Sequence, residues 1–218
     1  MDNIFQISNT HGLFFEAAGE KLELPKGRIA SWSNDKQIWA YFLSKGCIKT
    51  YSSYMDGSDK ILGYLRPGST FSQASTAFTH GGRGEMEFFA VQDCVLYRVT
   101  IEEFWGRLQT DKAFSNDFLM MQLRDEMMMV DHITFLGEHD LERRFARWLF
   151  MMAKFYSETK NNELFISTPQ THSEIAAWLG LGRETTGKLV RKFINQDYIT
   201  LKQKRLRING LRQLENLL

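Results

Sequence analysis

Two short amphipathic segments meet at a glycine turn between Thr171 and Asn195, and this arrangement restricts the fold more tightly than any other stretch. Thr171 followed by Glu174 forms a capping box: the hydroxyl takes a free N–H of the first helical turn, and the carboxylate returns to the cap residue. Ile175, Ala176 and Leu179 then make a short apolar face. Gly180-Leu181-Gly182 ends the helix where a left-handed or tight turn is needed. A second helix starts near Arg183, with Leu189, Val190, Phe193 and Ile194 as its apolar positions. Two short helices joined by a glycine-containing turn form a helix-turn-helix. Behind them, Ile199 to Leu201, a polar Lys202-Gln203-Lys204 turn and Arg205 to Ile208 read as a small hairpin, so the module is a winged helix-turn-helix.

The plain alternative is a helical hairpin with a solvated, charged face. Charge decides against it. From Ser167 to Leu218 there are 9 Lys and Arg against 4 Asp and Glu, a net of +5. The rest of the chain carries 18 against 22, a net of −4, so the overall +1 conceals a basic module on an acidic body. A recognition helix enters the major groove of duplex DNA with its N-terminal residues at base edges. Arg183 and Glu184 occupy that first turn; Arg suits guanine O6 and N7, and Glu accepts from cytosine N4. Thr171, His172, Lys202, Lys204 and Arg205 are placed for phosphates, which position without specifying. Thr185, Lys188 and Arg191 complete the expected DNA-contacting set.

Thr171-x-x-Glu174-Ile-Ala followed by Gly182-Arg183-Glu184-Thr185-Thr186-Gly187-Lys188 resembles the recognition motif of the catabolite-activator/fumarate-nitrate regulator (CRP/FNR) family of bacterial transcription factors. The Arg-Glu-Thr-x-Gly-basic run is most similar to the catabolite-activator branch, which implies half-sites like TGTGA. Two positions depart from the pattern. Gly182 stands where members often have Ser, and Lys188 where the catabolite activator has Arg. Lys lacks the planar fork of Arg, so base preference at that position is open.

Upstream, from Lys21 to Thr100, turn markers alternate with short β-rich runs. The markers are Lys26-Gly27, Ser33-Asn34-Asp35, Lys45-Gly46, Asp56-Gly57 and Pro67-Gly68. The runs are 38–43, 47–51, 60–65, 88–91 and 95–99. Short strands at this spacing predict a sandwich or barrel. Pro25-Lys-Gly27, Ile38 to Gly46, Asp56-Gly-Ser58 and Leu65-Arg-Pro-Gly68 resemble the turns of the family's cyclic-nucleotide-binding-type β-roll, so the resemblance runs from about Leu22 to the end. The cyclic-nucleotide ligands do not carry over. Where such members have Gly-Glu after the loop Phe, Phe71 is followed by Ser72-Gln73-Ala74-Ser75. Where they have the phosphate-binding Arg, the strand reads Gly84-Glu85-Met86-Glu87, with Arg83 beside two acids. A phosphodiester needs fixed positive charge or N–H donors. Cyclic AMP is therefore not expected, and an uncharged or aromatic effector is. Tyr64, Phe71, Gln73, Phe88 and Phe89 are its candidate lining, and core packing would also explain most of them.

Two cysteines, Cys47 and Cys94, fall short of the roughly four ligands of an iron–sulfur sensor. His80, in a polar loop, is a poor haem ligand. No metal and no cofactor is expected. Two reduced thiols, no membrane-length apolar run and no secretory start at Met-Asp-Asn-Ile-Phe fit a cytoplasmic protein.

From Asp111 to Leu136 a long helix is expected, with Met120, Leu123, Met127, Val130 and Thr134 recurring at 3,4 spacing as a coiled-coil seam. The resemblance implies a parallel homodimer through residues 111–137, with Met129 and Val130 facing the effector. Gly137 to Asp140 reads as a hinge with Asp140 as N-cap, and Leu141 to Tyr156 as a helix turning Leu141, Phe145, Trp148, Leu149 and Met152 inward. Thr159 to Glu163 reads as a polar loop and 164–166 as a strand. Near the N-terminus, Phe14, Phe15 and Ala18 would face the core from a short helix.

The expected fold is α+β: a jelly-roll-like β-roll sensor at 1–110, a dimerisation helix at 111–137 and a winged helix-turn-helix at 138–218. The expected function is effector-responsive regulation of transcription. Its partners would be an inverted-repeat operator in double-stranded DNA, a second copy of the chain and, for an activator, RNA polymerase, with no membrane. A constitutive DNA-binding dimer with a non-sensing β-roll is the nearest alternative. A small β-barrel enzyme with an appended helical domain lacks any visible metal triad, carboxylate pair or nucleophile motif.

Overall fold

The computed structural model describes residues 10–30, 37–53, 59–72, 86–161, 163–168, 170–202 and 205–218. The turns expected at Ser33–Asp35 and Asp56–Gly57 lie outside them. The chain divides into two compact units, Met1–Asp125 and Glu126–Leu218.

In the first unit, α1 (Thr10–Ala18) precedes β1 (Glu20–Leu24), β2 (Trp39–Lys45), β3 (Ile48–Ser53), β4 (Asp59–Leu65), β5 (Thr70–Ser72), β6 (Met86–Ala90) and β7 (Cys94–Thr100). The strands form two antiparallel sheets, ordered β1-β7-β2-β5 and β4-β3-β6. Residues 40–43 of β2 are buried on both faces, which is why that run is continuously apolar instead of alternating. One face sends Ala40 and Phe42 into a cluster with Phe15, Val99, Phe104 and Phe114. The other sends Leu43 to Ile48, Phe88, Ala90, Cys94 and Leu96. Each fully buried Phe, Leu or Ile stabilises by about 1.5–3 kcal/mol over its exposed state. Gly46 holds the β2–β3 turn at φ +97°, and a Cβ there would lie 2.5 Å from the Asp93 carbonyl, so only glycine fits.

Two expectations change here. Ala18 is exposed, and α1 buries His11, Gly12 and Phe15 instead. A separate helix, α2 (Ile101–Thr110), capped by a Thr100–Glu103 box, precedes the long one. Asp111 separates them: its carboxylate accepts from the Phe114 N–H at 3.1 Å. The long helix, α3, runs Lys112–Leu136.

In the second unit, α4 (Leu141–Tyr156) buries Phe145, Trp148, Leu149 and Met152, while Leu141 is only half-buried. Asp140 caps it, accepting from the N–H groups of Glu142 and Arg143 at 2.8 and 3.1 Å. Those N–H groups, Arg143 first, hold its carboxyl below the usual range. A second sheet-forming stretch follows. β8 (Ser157–Lys160) pairs with β9 (Glu163–Ile166), so the segment expected as a polar loop is half strand. Its exposed polar side chains hid a backbone ladder. α5 (His172–Leu179), α6 (Arg183–Asn195), β10 (Ile199–Lys202), β11 (Arg205–Ile208) and α7 (Leu211–Glu215) complete the unit, and the sheet order is β10-β11-β9-β8.

Candidate nucleic-acid interface

The helix-turn-helix forms as its local chemistry dictates. Thr171 Oγ1 accepts from the Glu174 N–H at 3.2 Å, and Glu174 Oε2 accepts from the Thr171 N–H at 2.7 Å. Gly180 adopts the left-handed region at φ +65° and turns the chain. Ile175, Ala176, Trp178 and Leu179 are buried on α5; Thr186, Gly187, Leu189, Val190 and Phe193 on α6. Ile194 is 38% exposed, just off that stripe, contrary to expectation. Phe193 meets Phe145 edge-on at 4.7 Å and seats α6 on α4. Trp178 was not anticipated in the core; it packs against His132 at 4.9 Å.

That packing leaves one side of α6 to solvent. Arg183, Glu184, Lys188 and Arg191 are exposed, Thr185 is half-buried, and His172 and Thr171 are half-buried at the start of α5. Lys202 and Arg205 face each other across the wing and are exposed. Lys204 lies outside the described residues. Arg207, on the same strand as Arg205, is committed elsewhere: it bonds Asn209 at 2.9 Å and pairs with Glu163. Asn209 in turn donates to Asp197 Oδ1 at 2.8 Å, which ties the wing to the end of α6.

Two residues escaped sequence reasoning. Lys192 lies one turn beyond Lys188 and pairs with Glu142; its spacing was a readable signal. Arg144 donates to the Glu138 carbonyl at 2.8 Å and to the Leu179 carbonyl at 3.3 Å, joining the segment before α4 to the end of α5. Nothing in the sequence marks that role, because both acceptors are backbone atoms.

A family model for the cyclic nucleotide-binding domain matches residues 21–111, and one for the Crp-like helix-turn-helix domain matches residues 143–217. The chain belongs to the CRP/FNR family. CRP/FNR members among its relatives include the cAMP-activated global transcriptional regulator CRP of Pasteurella multocida, 25% identical over 183 residues, covering 83% of this chain and 85% of that protein. The fumarate and nitrate reduction regulatory protein of Escherichia coli K12 is 19% identical over 190 residues, covering 87% and 75%. A solved CooA mutant from Carboxydothermus hydrogenoformans superposes with a TM-score of 0.76 at 19% identity, over 100% of this chain and 96% of that one. As a CRP/FNR protein, the chain is a DNA-binding transcription regulator with a cyclic nucleotide-binding-type domain.

The effector candidates of this CRP/FNR β-roll lie on two faces. Phe71 stacks between Tyr41 and Phe88, at 5.4 and 5.3 Å, inside the roll. Tyr64 and Phe89 lie in one row across β4-β3-β6 with Lys49 between them, on the face opposite Phe88. Lys49 Nζ sits 5.2 Å from the Phe89 ring. Met129 and Val130 are exposed on α3. Gln73, His80 and Arg83 lie outside the described residues. Cys94 Sγ donates to the Cys47 carbonyl at 3.5 Å, and both thiols are free and buried. Burial pushes the Cys47 thiol up to about 12 and raises Cys94, which leaves little thiolate at neutral pH. Among the described residues no group of three or more His, Cys, Asp or Glu is placed to hold a metal ion, and no helix is long and apolar enough to cross a membrane.

Proposed function

We propose that the chain works as a cytoplasmic homodimer that binds an inverted-repeat operator under the control of a small effector. Residues 1–110 sense, 111–137 pair the two copies and 138–218 bind DNA. The observation that carries this reading is the solvent-facing side of α3. Leu119, Leu123, Met127, Val130 and Ile133 are 39–69% exposed along it, and Leu123, Met127 and Val130 keep the 4,3 spacing of a coiled-coil seam. A second copy covers such a stripe and gives the recognition helices two-fold symmetry. Arg183, Glu184, Thr185, Lys188 and Arg191 read or hold the major groove. Thr171, His172, Lys202, Lys204 and Arg205 hold phosphates. In an activator, RNA polymerase is the next partner.

The effector acts by binding one arrangement of the dimer better than the other. It is not cyclic AMP, although the Pasteurella multocida relative is cAMP-activated, because Ser72-Gln73 follows Phe71 where such members have Gly-Glu, and the strand at Met86 has no Arg where they bind the phosphate. Calorimetry is expected to give no saturable heat with cyclic AMP; a micromolar isotherm contradicts this. The Tyr41–Phe71–Phe88 stack favours a second reading, in which the roll is filled by its own side chains and DNA binding is constitutive. Full-strength operator binding, unchanged across a metabolite panel that also leaves the melting temperature unmoved, would select it.

Fluorescence anisotropy on the full chain tests DNA binding. Saturable duplex binding is expected, with log K falling linearly against log salt by roughly 0.9 per phosphate engaged. No saturable binding at low salt contradicts the reading.

A further inference from the structure

We infer that Lys188 is a positioning residue for base readout: it acts through Glu184, holding and neutralising the carboxylate that accepts from a cytosine amine. The inference rests on the DNA-reading role proposed for α6. Residues four apart share a helix face, with Glu before Lys the better order. Here Lys188 Nζ lies 2.9 Å from Glu184 Oε1, with both side chains mostly exposed at 69% and 83%. Two other carboxylates, Asp140 and Glu142, line a groove of about 410 Å³ together with Lys188, Thr185 and Lys192. Both are engaged. Asp140 caps α4, and Glu142 pairs with Lys192. Glu184 is the carboxylate left to Lys188.

The pairing has a chemical consequence in the groove. One Glu184 oxygen is engaged, and the other keeps its lone pairs for an N4 amine. A carboxylate entering the groove meets the field of the phosphates. Taken out of water without a cation beside it, that charge is costly. Lys188 supplies the cation on the same face. Its ammonium is a compact point charge with three donors, and it lacks the planar fork that draws Arg to guanine. Base identity at this position is therefore set by Glu184, with Lys188 keeping it aimed and paired.

Binding-site selection from a randomised duplex library decides the matter, using the full chain as wild type, Glu184→Gln, Lys188→Met, Lys188→Arg and the double variant Glu184→Gln/Lys188→Met. Matched melting curves keep folding out of the comparison. Lys188→Met should relax the same base-pair position as Glu184→Gln, with discrimination there falling ~10-fold. The double variant should relax it no further, and Lys188→Arg should keep it. Three outcomes overturn the inference. Uniform weakening of all sequences, with a salt slope shallower by about one unit, makes Lys188 a phosphate contact. Relaxation at a different base position makes it a reader in its own right. Absence of any selected motif with the wild type removes the DNA-reading role of α6 and this inference together.

Discussion

His11 carries two hydrogen bonds that set the tautomer of its neutral ring. Its Nε2 lies 3.1 Å from the Phe114 carbonyl, which can only accept, so Nε2 bears the proton. Nδ1, 3.1 Å from Thr70 Oγ1, then accepts from that hydroxyl. The ring stacks on Phe114 at 4.0 Å. Burial lowers its basicity, opposed by the Phe114 carbonyl and by Asp117, which accepts from Thr10. The folded state thus resists a proton that the unfolded chain takes up near pH 6.5. Stability is whole above that pH and declines as pH falls below it. The melting temperature is expected to drop from pH 7.5 to 5.5 more steeply in wild type than in His11→Gln; equal slopes contradict this. The sequence did not disclose His11, whose partners lie 59 and 103 positions away. Thr171, Glu174 and Asp140 were legible because capping is settled within three residues.

At the scale of elements, legibility follows locality in the same way. Leu141–Tyr156 was readable to the residue from its apolar period and its Asp140 cap. The strand at Ser157–Lys160 was not, since only Ser157 along it is even partly buried and its pairing lies in the backbone. The strands were expected to end at Thr100 and the long helix to begin at Asp111, which gave Ile101–Thr110 no element; Thr100 both ends β7 and caps α2. On α3 the seam was read from spacing alone. Of its members Met120 is half-buried, while Leu123, Met127, Val130 and Thr134 are exposed; Met121 is fully buried, and Leu119 and Ile133 are exposed as well. A helix apolar on more than one face needs more than one partner. Leu123→Lys, or Val130→Glu, is expected to give a monomer by light scattering, with weakened operator binding. A variant that stays dimeric places the pairing surface elsewhere.

For the whole molecule, the basic module on an acidic body was visible in charge alone, and the family in the Arg183–Lys188 run. The effector was not. Its candidate side chains are spread over two sheets and a helix, with Phe88 and Phe89 on opposite faces of one of those sheets, and which of them can meet a ligand depends on register, which no single run of sequence states. The central claim is that two copies present α6 to a two-fold site. Site selection from a random duplex library, run with wild type and Arg183→Ala, tests it most directly. The wild type should select an inverted repeat with half-sites about one helical turn apart. Arg183→Ala should cost about 1–3 kcal/mol per half-site and relax preference at one symmetric base position. A winning sequence without two-fold symmetry, or an Arg183→Ala profile identical to wild type, would contradict the account.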